Sequence, residues 1–265
     1  MGPTTKEAGM QRSLVLTAAL LAAGMVALPA QQTSNNPPLY RGTQTHVDGV
    51  FVTPVAGVPF SATVLIRSEQ SMPDGTTVTR TTINLIGRDS RGRIHNERRS
   101  LVPESFRATP HLIEVHIFDL QTRMNTFYDP MTHIARQQVL PEPPKAPNPR
   151  AFSNPMVKVE DLDSTNLEGF VTKGLRRSVT IPAQVSGTGA PVTVVDEYWY
   201  SEDLHLNLLV RHTDPRTGLQ TVAVSNIKRE EPPPAFFEVP EGYKIVDMTP
   251  PPGAPAALGG ASSIP

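Results

Sequence analysis

Short segments of alternating apolar and polar residues, separated by turn residues, make up most of this chain. Phe60–Gln70 alternates in this way and is rich in β-branched residues, and Thr76–Ile86 repeats the pattern after the turn Met72–Gly75. Proline fixes φ early in such a turn, and glycine accepts a positive φ. The two segments are therefore predicted to form a β-hairpin.

The alternation continues to the end of the chain. The charged segment Arg93–Leu101 has few apolar positions, so we expect it at a sheet edge or facing water on both sides. Pro182–Pro191 is interpreted as a loose turn, a short helical turn is predicted at Pro234–Phe237, and Glu238–Val246 is expected to close the sheet. Further strands are predicted at 111–119, 125–128, 133–140, 157–162, 170–181, 192–201, 205–212 and 220–229.

The fold class follows from the period of these segments. After residue 30, no stretch carries ten or more residues of apolar 3.6-residue periodicity, as an amphipathic helix would require. The pattern predicts a mainly β fold with little helix outside the N-terminal segment. We expect a single antiparallel sheet, strongly curved or forming an open half-barrel, shared by both halves of the chain.

The N-terminus has the layout of a secretory signal peptide. Lys6 and Arg12 precede an apolar run at 14–28, and Pro29-Ala30 is followed by polar residues. The run is about fifteen residues long, short of the ~20 that span a bilayer. A single anchoring helix is the alternative, and Met10 would also make a normal start. We predict cleavage after Ala30 and export to the periplasm or the extracellular space, with no stable membrane span after processing.

Composition sets the remaining boundaries. The chain has no Cys, which excludes a lipoprotein anchor and disulfides, and its net charge of −1 gives no reason to expect nucleic acid as a partner. The predicted organisation is a signal peptide at 1–30, a flexible lead-in at 31–58, a β-rich domain at 59–247 with a Pro-rich loop at 141–155, and a disordered Pro/Gly/Ala tail at 248–265.

Catalytic patterns are weak in this sequence. There is no Gly-x-Ser-x-Gly elbow, and the spaced histidines, such as His205 and His212, are better explained as solvated strand residues than as zinc ligands. Asp196 and Glu197 are adjacent on a predicted strand and so face opposite ways, which is wrong for joint acid–base chemistry. We therefore predict no catalytic, cofactor-binding or metal-binding residues and no cofactor.

The most distinctive local feature is the aromatic run Tyr198-Trp199-Tyr200, followed by a strand with a continuous apolar face. Such residues usually form ordinary core, and the alternative is a groove for an acyl chain or a lipidated partner. The candidate groove or core residues are Ile113, Val115, Ile117, Tyr198, Trp199, Tyr200, Leu206 and Leu208.

Several local motifs resemble a family of uncharacterised exported bacterial proteins. The matching segments, within residues 58–247, are Phe60–Thr63, Glu168-Gly169, Thr180–Ala183, Glu197–Leu204, Asp214–Gly218, Asn226–Pro232 and Phe237–Tyr243. More distantly, a strand meander that ends in Phe-x-Val-Pro-x-Gly-Tyr is similar to the periplasmic lipoprotein-carrier (LolA-like) fold. That resemblance implies an open antiparallel half-barrel that wraps a helix and holds acyl chains.

Three hypotheses of function follow. The first is an exported, non-enzymatic protein of the cell envelope that binds a lipid or a lipidated partner, such as a lipoprotein, in a sheet groove. The second is a structural or protein-interaction module of the periplasm or cell surface that uses edge strands and the Pro-rich segments. The third is a hydrolase without a recognisable motif.

Overall fold

The computed structural model describes residues 50–72, 74–142 and 155–250. The chain divides into two units, and all the described residues lie in the second, Thr43–Pro265. The predicted signal peptide 1–30 lies outside the described residues. So do most of the predicted lead-in, most of the loop 141–155, and the tail from residue 251 onwards.

Thirteen strands occur in the described residues. They are β1 (Phe60–Ser71), β2 (Thr77–Arg88), β3 (Ile94–Arg99), β4 (Val102–Pro103), β5 (Leu112–Phe118), β6 (Met124–Asp129), β7 (Ile134–Val139), β8 (Val157–Leu167), β9 (Phe170–Ile181), β10 (Val192–Ser201), β11 (Leu206–Asp214), β12 (Gly218–Lys228) and β13 (Lys244–Asp247). A 3-10 helix occupies Pro234–Phe237, where a helical turn was predicted. One helical turn, α1 (Ala183–Ser186), lies in the segment interpreted as a loose turn.

All the strands belong to one curved, open sheet, which confirms the predicted fold class. The order is β13-β7-β6-β5-β3-β2-β1-β12-β11-β10-β9-β8, and β4 pairs with β2. Neighbours are antiparallel, except that β13 runs parallel to β7. The expectation that residues 238–246 close the sheet is wrong, because β13 adds to the β7 edge and β8 remains the opposite edge.

The charged strand β3 lies inside the sheet, between β2 and β5, and its predicted position at an edge is wrong. Ile94 and His95 are buried. The charges that suggested an edge are matched locally, since Glu97 accepts a 2.9 Å hydrogen bond from Arg99 Nε, and Arg98 lies 3.5 Å from Glu114. Opposite charges on one strand and on its neighbour remove the penalty that an inner position would otherwise carry.

The sheet has two faces that are covered differently. We call the face that carries Phe60, Ala62 and Val64 the core face, and the opposite one the outer face. Alternate residues of β1, β2, β11 and β12 point to the core face and form the main hydrophobic cluster. Val50 and Val52, from the predicted lead-in, are buried in this cluster, so the packed domain begins before residue 59.

A buried arginine fastens this cluster. Arg88, at the end of β2, has no exposed surface and donates hydrogen bonds to three backbone carbonyls, of Thr53 (2.7 Å), Val58 (2.9 Å) and Leu204 (2.8 Å). Burial lowers the pKa of its guanidinium from the ordinary value. Because all three acceptors belong to loops, Arg88 ties the segment before β1 and the β10–β11 turn to the sheet.

A second cluster lies on the outer face, over β5, β6 and β7. Val115, Ile117, Tyr128 and Ala135 are buried there against Phe237, together with the partly buried Leu112, Phe236, Val239 and Tyr243. The covering residues come from one segment, residues 229–243, which we call the C-terminal strap. The strap leaves β12, crosses the outer face and leads into β13.

Candidate functional site

A β-bulge in β12 interrupts the sheet next to the strap. Ser61 pairs with Lys228 and Thr63 pairs with Ser225, so β12 has one residue more than β1 between these pairs. Asn226 lies in this bulge with φ of 53°, a left-handed conformation that asparagine tolerates better than most residues. Its backbone N–H donates to the carboxylate of Glu168 at 3.2 Å. Bulges of this kind redirect side chains and often lie beside binding sites.

A pocket of about 330 Å³ lies on the outer face at this bulge. Strands β1, β2 and β12 form its floor, and the strap forms a wall. The lining residues are Ser61, Ala62, Thr63, Leu85, Ile86, Asn226, Lys228, Pro232, Pro233 and Phe236. The volume lies within the range of about 300–1,000 Å³ that is typical of small-molecule sites.

The two sides of the pocket differ in polarity. Leu85 of β2, with Phe236 and the two prolines of the strap, makes one side apolar, whereas the side chain of Ile86 points to the core face. On the side of β12, Asn226 and Lys228 contribute an amide and an ammonium group, and the hydroxyl groups of Ser61 and Thr63 lie between the two sides. An apolar surface with a few polar groups on one side suits an amphipathic ligand.

The wall residue Phe236 is held by three contacts at the sheet. Its ring lies over Gly87, where an added Cβ would approach the Phe236 Cε1 atom to 2.7 Å. The ring stacks on His95 at a centroid distance of 3.8 Å, and His95 Nδ1–H donates to the Phe236 carbonyl at 2.6 Å. Burial lowers the pKa of His95 to about 4, so the imidazole is neutral at pH 7. The geometry of the wall thus depends on Gly87 and on a neutral His95.

An apolar row crosses the outer face beside the pocket. Leu65 of β1 pairs with Ile83 of β2 and with Ala223 of β12, and the row continues through Leu209 of β11 to Trp199 of β10. Leu65 and Ile83 keep 40% and 48% of their surface exposed, and Leu85 of the pocket keeps 41%. A contiguous exposed apolar surface of this kind typically marks an interaction site.

A charged row runs parallel to the apolar row. Arg67 and Arg211 both pair with Thr221 across the sheet, and Arg211 also pairs with Glu197. Arg176 donates to the Glu197 carboxylate at 2.6 and 2.8 Å, and the guanidinium of Arg211 lies 5.4 Å from the centre of the Trp199 ring. The apolar row is thus bordered by charge on the side away from the pocket.

Most of the eight residues predicted from the aromatic run and the β5 pattern form core. Leu206 and Leu208 are buried in the core-face cluster, against which Tyr198 packs, and Val115 and Ile117 are buried in the outer-face cluster. Ile113 is half-buried, and a register shift separates Trp199 from Tyr200. None of the eight lines the pocket, although Trp199 ends the apolar row. The ordinary explanation, core packing, therefore accounts for the four buried residues.

The pocket residues were missed, yet the sequence carries a signal for them. The strands β1 and β2 contain Val64-Leu65-Ile66 and Leu85-Ile86, where apolar residues are consecutive and alternation fails. Consecutive apolar residues on a strand place apolar side chains on both faces. In a sheet with one solvated face, such a run predicts either that another segment of the chain packs over that face or that the face is a binding surface.

Polar side chains meet on the core face without forming a cluster of acids and bases. Asp196 and Glu197 do face opposite ways: Asp196 accepts from His212 Nδ1 at 2.6 Å and lies 3.5 Å from Arg177, while Glu197 binds Arg176. His116 Nε2 lies 2.6 Å from Asn125 Oδ1. Within residues 50–72, 74–142 and 155–250, no three His, Asp or Glu side chains are placed to hold a metal ion.

No helix in the described part of the chain is both long and apolar enough to cross a membrane. No family model matches this sequence, and neither does any curated protein.

Among solved structures, the chain is similar to the MucA/MucB complex of Pseudomonas aeruginosa, with 10% identity over 71% of this chain and 58% of that chain and a TM-score of 0.37. It is also similar to a LolA superfamily protein of Nitrosomonas europaea (10% identity, 70% of this chain, 92% of that chain, TM-score 0.27). A third similar structure is a putative outer membrane lipoprotein-sorting protein domain of Vibrio parahaemolyticus (10% identity, 65% of this chain, 86% of that chain, TM-score 0.25). This chain spans only 58% of the first of these structures.

Proposed function

We propose that this protein is an exported, non-enzymatic binding protein of the cell envelope, and that its ligand carries an acyl chain. The observation that carries the proposal is the outer-face pocket between the sheet and the C-terminal strap. Export is supported by the basic, apolar and small-residue order of the first thirty residues. The ligand chemistry is supported by the lining of the pocket and by the apolar row beside it.

The apolar side of the pocket supplies the binding energy. Leu85, Phe236 and Pro232 offer aliphatic and aromatic surface without a charged side chain among them. Each methylene group removed from water there contributes about 0.8 kcal/mol. Because the strap already forms a wall, little of this energy is spent on ordering the site.

The exposed row extends the surface beyond the pocket. Leu65 and Ile83 lie one row further along the hairpin β1–β2 than Thr63 and Leu85. Successive rows on one face are roughly 7 Å apart along a strand. A chain that leaves the pocket along the hairpin therefore stays on apolar surface, which favours an extended aliphatic ligand over a compact polar one.

Energy transfer from Trp199 tests the proposal. It is the only tryptophan, and it lies three strand spacings, roughly 14 Å, from Leu65 on the same row. Delipidated protein is titrated with cis-parinaric acid, a fluorescent fatty acid that accepts energy from tryptophan. We expect saturable transfer with one site per chain, and a mass increase of one fatty acid in native mass spectrometry.

Two matched variants complete this experiment. Leu85→Gln places an amide in the pocket and should weaken parinaric acid binding about tenfold, the loss of roughly two methylene contacts. Val139→Gln changes a residue of nearly the same exposure on β7, 40% against 41% for Leu85, and should leave binding unchanged. Transfer that does not saturate, or equal effects of the two variants, would contradict the proposal.

A protein-binding surface at the β8–β9 edge is the second candidate. Val159, Val171 and Leu175 lie on this edge hairpin and keep 58%, 65% and 37% of their surface exposed. Exposed apolar residues beside an open edge strand favour the addition of a partner segment. A photo-crosslinking residue at position 171, compared with one at 139, tests this in intact cells. Equal crosslinking at both positions would argue against it.

A further inference from the structure

We infer that the outer-face pocket selects single-chain amphiphiles with an anionic head group, of the fatty-acid class, and that the head group lies at Lys228 and Asn226. This inference rests on the proposed function and names the ligand class of the same pocket. It is carried by the charges, the hydrogen-bond donors and the volume of the site.

Lys228 provides the positive charge. It is exposed at the end of β12, lines the pocket, and makes no ion pair with any residue that the structure describes. Most cations near the outer-face apolar row are already paired, as with Arg67 and Glu69 at 2.7 Å and with Arg176 and Glu197. An ammonium group without a partner at the rim of an apolar pocket attracts an anion, at the short range that salt permits.

Three carboxylates near the pocket are engaged with other groups. Glu168 accepts from the backbone N–H of Asn226, and Glu231 accepts from the N–H and hydroxyl of Ser90 at 3.0–3.2 Å. Glu97 accepts from the N–H of Leu85 and pairs with Arg99. None of these three is a lining residue, so the pocket itself contains one cation and no anion.

Neutral donors lie beside Lys228. The side chains of Ser61, Thr63 and Asn226 make no hydrogen bond with the residues that the structure describes, and all three line the pocket. Hydroxyl and amide groups can donate to a carboxylate, and such charge-assisted hydrogen bonds are stronger than neutral ones. One ammonium group and three neutral donors match an anionic head group better than a hydroxyl or an amine.

The volume favours one chain. A pocket of about 330 Å³ lies at the lower end of the range for small-molecule sites. It therefore suits a single aliphatic chain better than a lipid with two or three chains. The polar side on β12 and the apolar side on β2 orient that chain, with the head group at Lys228 and the methyl end toward Leu85.

Calorimetric titration with four twelve-carbon ligands tests the inference. Dodecanoate and dodecyl phosphate carry an anionic head group, dodecanol a neutral one and dodecylamine a cationic one. We expect dodecanoate to bind about two- to fivefold more tightly than dodecanol, as one exposed charge pair allows, and dodecylamine to bind more weakly than dodecanol. The phosphate arm separates a carboxylate ligand from a phosphorylated one.

Lys228→Gln should abolish the preference for dodecanoate over dodecanol. Lys244→Gln removes the same charge on β13, away from the pocket, and should keep the preference. Aspartate tolerates the same backbone conformation as asparagine, so Asn226→Asp should weaken the binding of dodecanoate and strengthen the binding of dodecylamine. Equal binding of dodecanoate and dodecanol to the wild-type protein would overturn the inference and leave the proposed function standing. Absence of binding by all four ligands would remove both.

Discussion

The two apolar clusters of this molecule lie on opposite faces of one sheet, and opposite ends of the described chain cover them. On the core face, β1, β2, β11 and β12 pack against Val50 and Val52, which precede the first strand. On the outer face, β5, β6 and β7 pack against the C-terminal strap, which follows β12. The sheet thus changes its buried face between β2 and β5.

The two clusters differ in where their residues originate. Most of the core-face cluster comes from the strands themselves, as with Phe60, Ile66 and Leu208, so it forms whenever these strands pair. The outer-face cluster depends on Phe237, Val239 and Tyr243 of the strap. The first cluster is therefore intrinsic to the sheet, whereas the second exists only while the strap is docked.

The pocket lies at the crossing between these two regions. Between β12 and the outer-face cluster, the strap passes over β1 and β2, whose outer face is already apolar at Leu65, Ile83 and Leu85. Pro232 and Pro233 cannot donate hydrogen bonds to the sheet, so the strap cannot pair with it there. A segment that crosses a sheet without pairing with it thus leaves an open space between the two, which is the pocket.

The largest expected effect is the loss of a core-face side chain. Leu208→Ala should lower the free energy of unfolding by about 2–5 kcal/mol, because Leu208 is fully buried and leaves a cavity. Leu65→Ala removes the same atoms from the outer face and should lower the free energy of unfolding by about 1 kcal/mol or less. Urea unfolding of the two variants measures both values. Similar costs would show that the outer face is as well packed as the core face.

Acid should loosen the strap before it unfolds the core. The pKa of His95 is about 4 in the folded protein against 6.5 for an unperturbed imidazole. Since the unfolded chain binds the proton first, the stability from neutral His95 is complete above pH 6.5 and is lost as pH falls to 4. The free energy of unfolding falls by about 3 kcal/mol over this pH range. Burial lowers the pKa of His116 in the same direction.

Hydrogen exchange at pH 7.5 and pH 4.5 measures this difference. We expect protection at pH 4.5 to fall first in the strap and in β5–β7, while β1, β2, β11 and β12 stay protected. His95→Phe keeps a ring on Phe236 and removes the titrating group, so it should reduce the pH dependence. An unchanged pH dependence in this variant would assign the acid sensitivity to other groups.

The sequence was sufficient to predict the strands and the single sheet, because the alternation of Phe60–Gln70 and Thr76–Ile86 reports which face of a strand is buried. It was not sufficient to place β3. The partners of its charges, such as Glu114 for Arg98, are distant along the chain, and pairing between distant segments has no local pattern. For the same reason, the parallel pairing of β13 with β7 could not be predicted from the sequence.

The site was harder to predict than the fold. The aromatic run and the strand after it form the densest apolar feature of the sequence. Such a feature most often belongs to the core, as Leu206 and Leu208 do. The pocket residues are ordinary one by one: a leucine, prolines, a lysine and an asparagine. Only the register, which puts Lys228 opposite Ser61, and the path of the strap bring them together.

A smaller effect is expected where the strap touches the sheet most closely. In Gly87→Ala, the new Cβ would lie 2.7 Å from the Phe236 ring and 3.0 Å from the Phe60 carbonyl, so the ring must move. We expect a loss of about 1–3 kcal/mol and weaker ligand binding, because Phe236 is part of the pocket wall. Combining it with Phe236→Leu should restore part of the stability in thermal unfolding. Strictly additive losses would contradict a steric conflict between the two residues.

The smallest effect concerns the first anchor of the strap. The Glu231 carboxylate accepts hydrogen bonds from the N–H and the hydroxyl of Ser90, where the strap has just left β12. Glu231→Gln keeps one acceptor oxygen and removes the charge, so unfolding should become easier by only about 0.5–1 kcal/mol.

The same substitution should act more visibly on the pocket than on the fold. Hydrogen exchange of the residues that follow Glu231 should rise, and parinaric acid should dissociate faster, because the anchor holds the wall without contributing to either apolar cluster. Glu230→Gln removes the same charge one residue earlier, from a side chain that makes no hydrogen bond or ion pair with the described residues. If both variants release the ligand equally fast, the negative charge of this segment matters and the contact with Ser90 does not. If only Glu231→Gln does so, the strap is held at Ser90 independently of the cluster it covers.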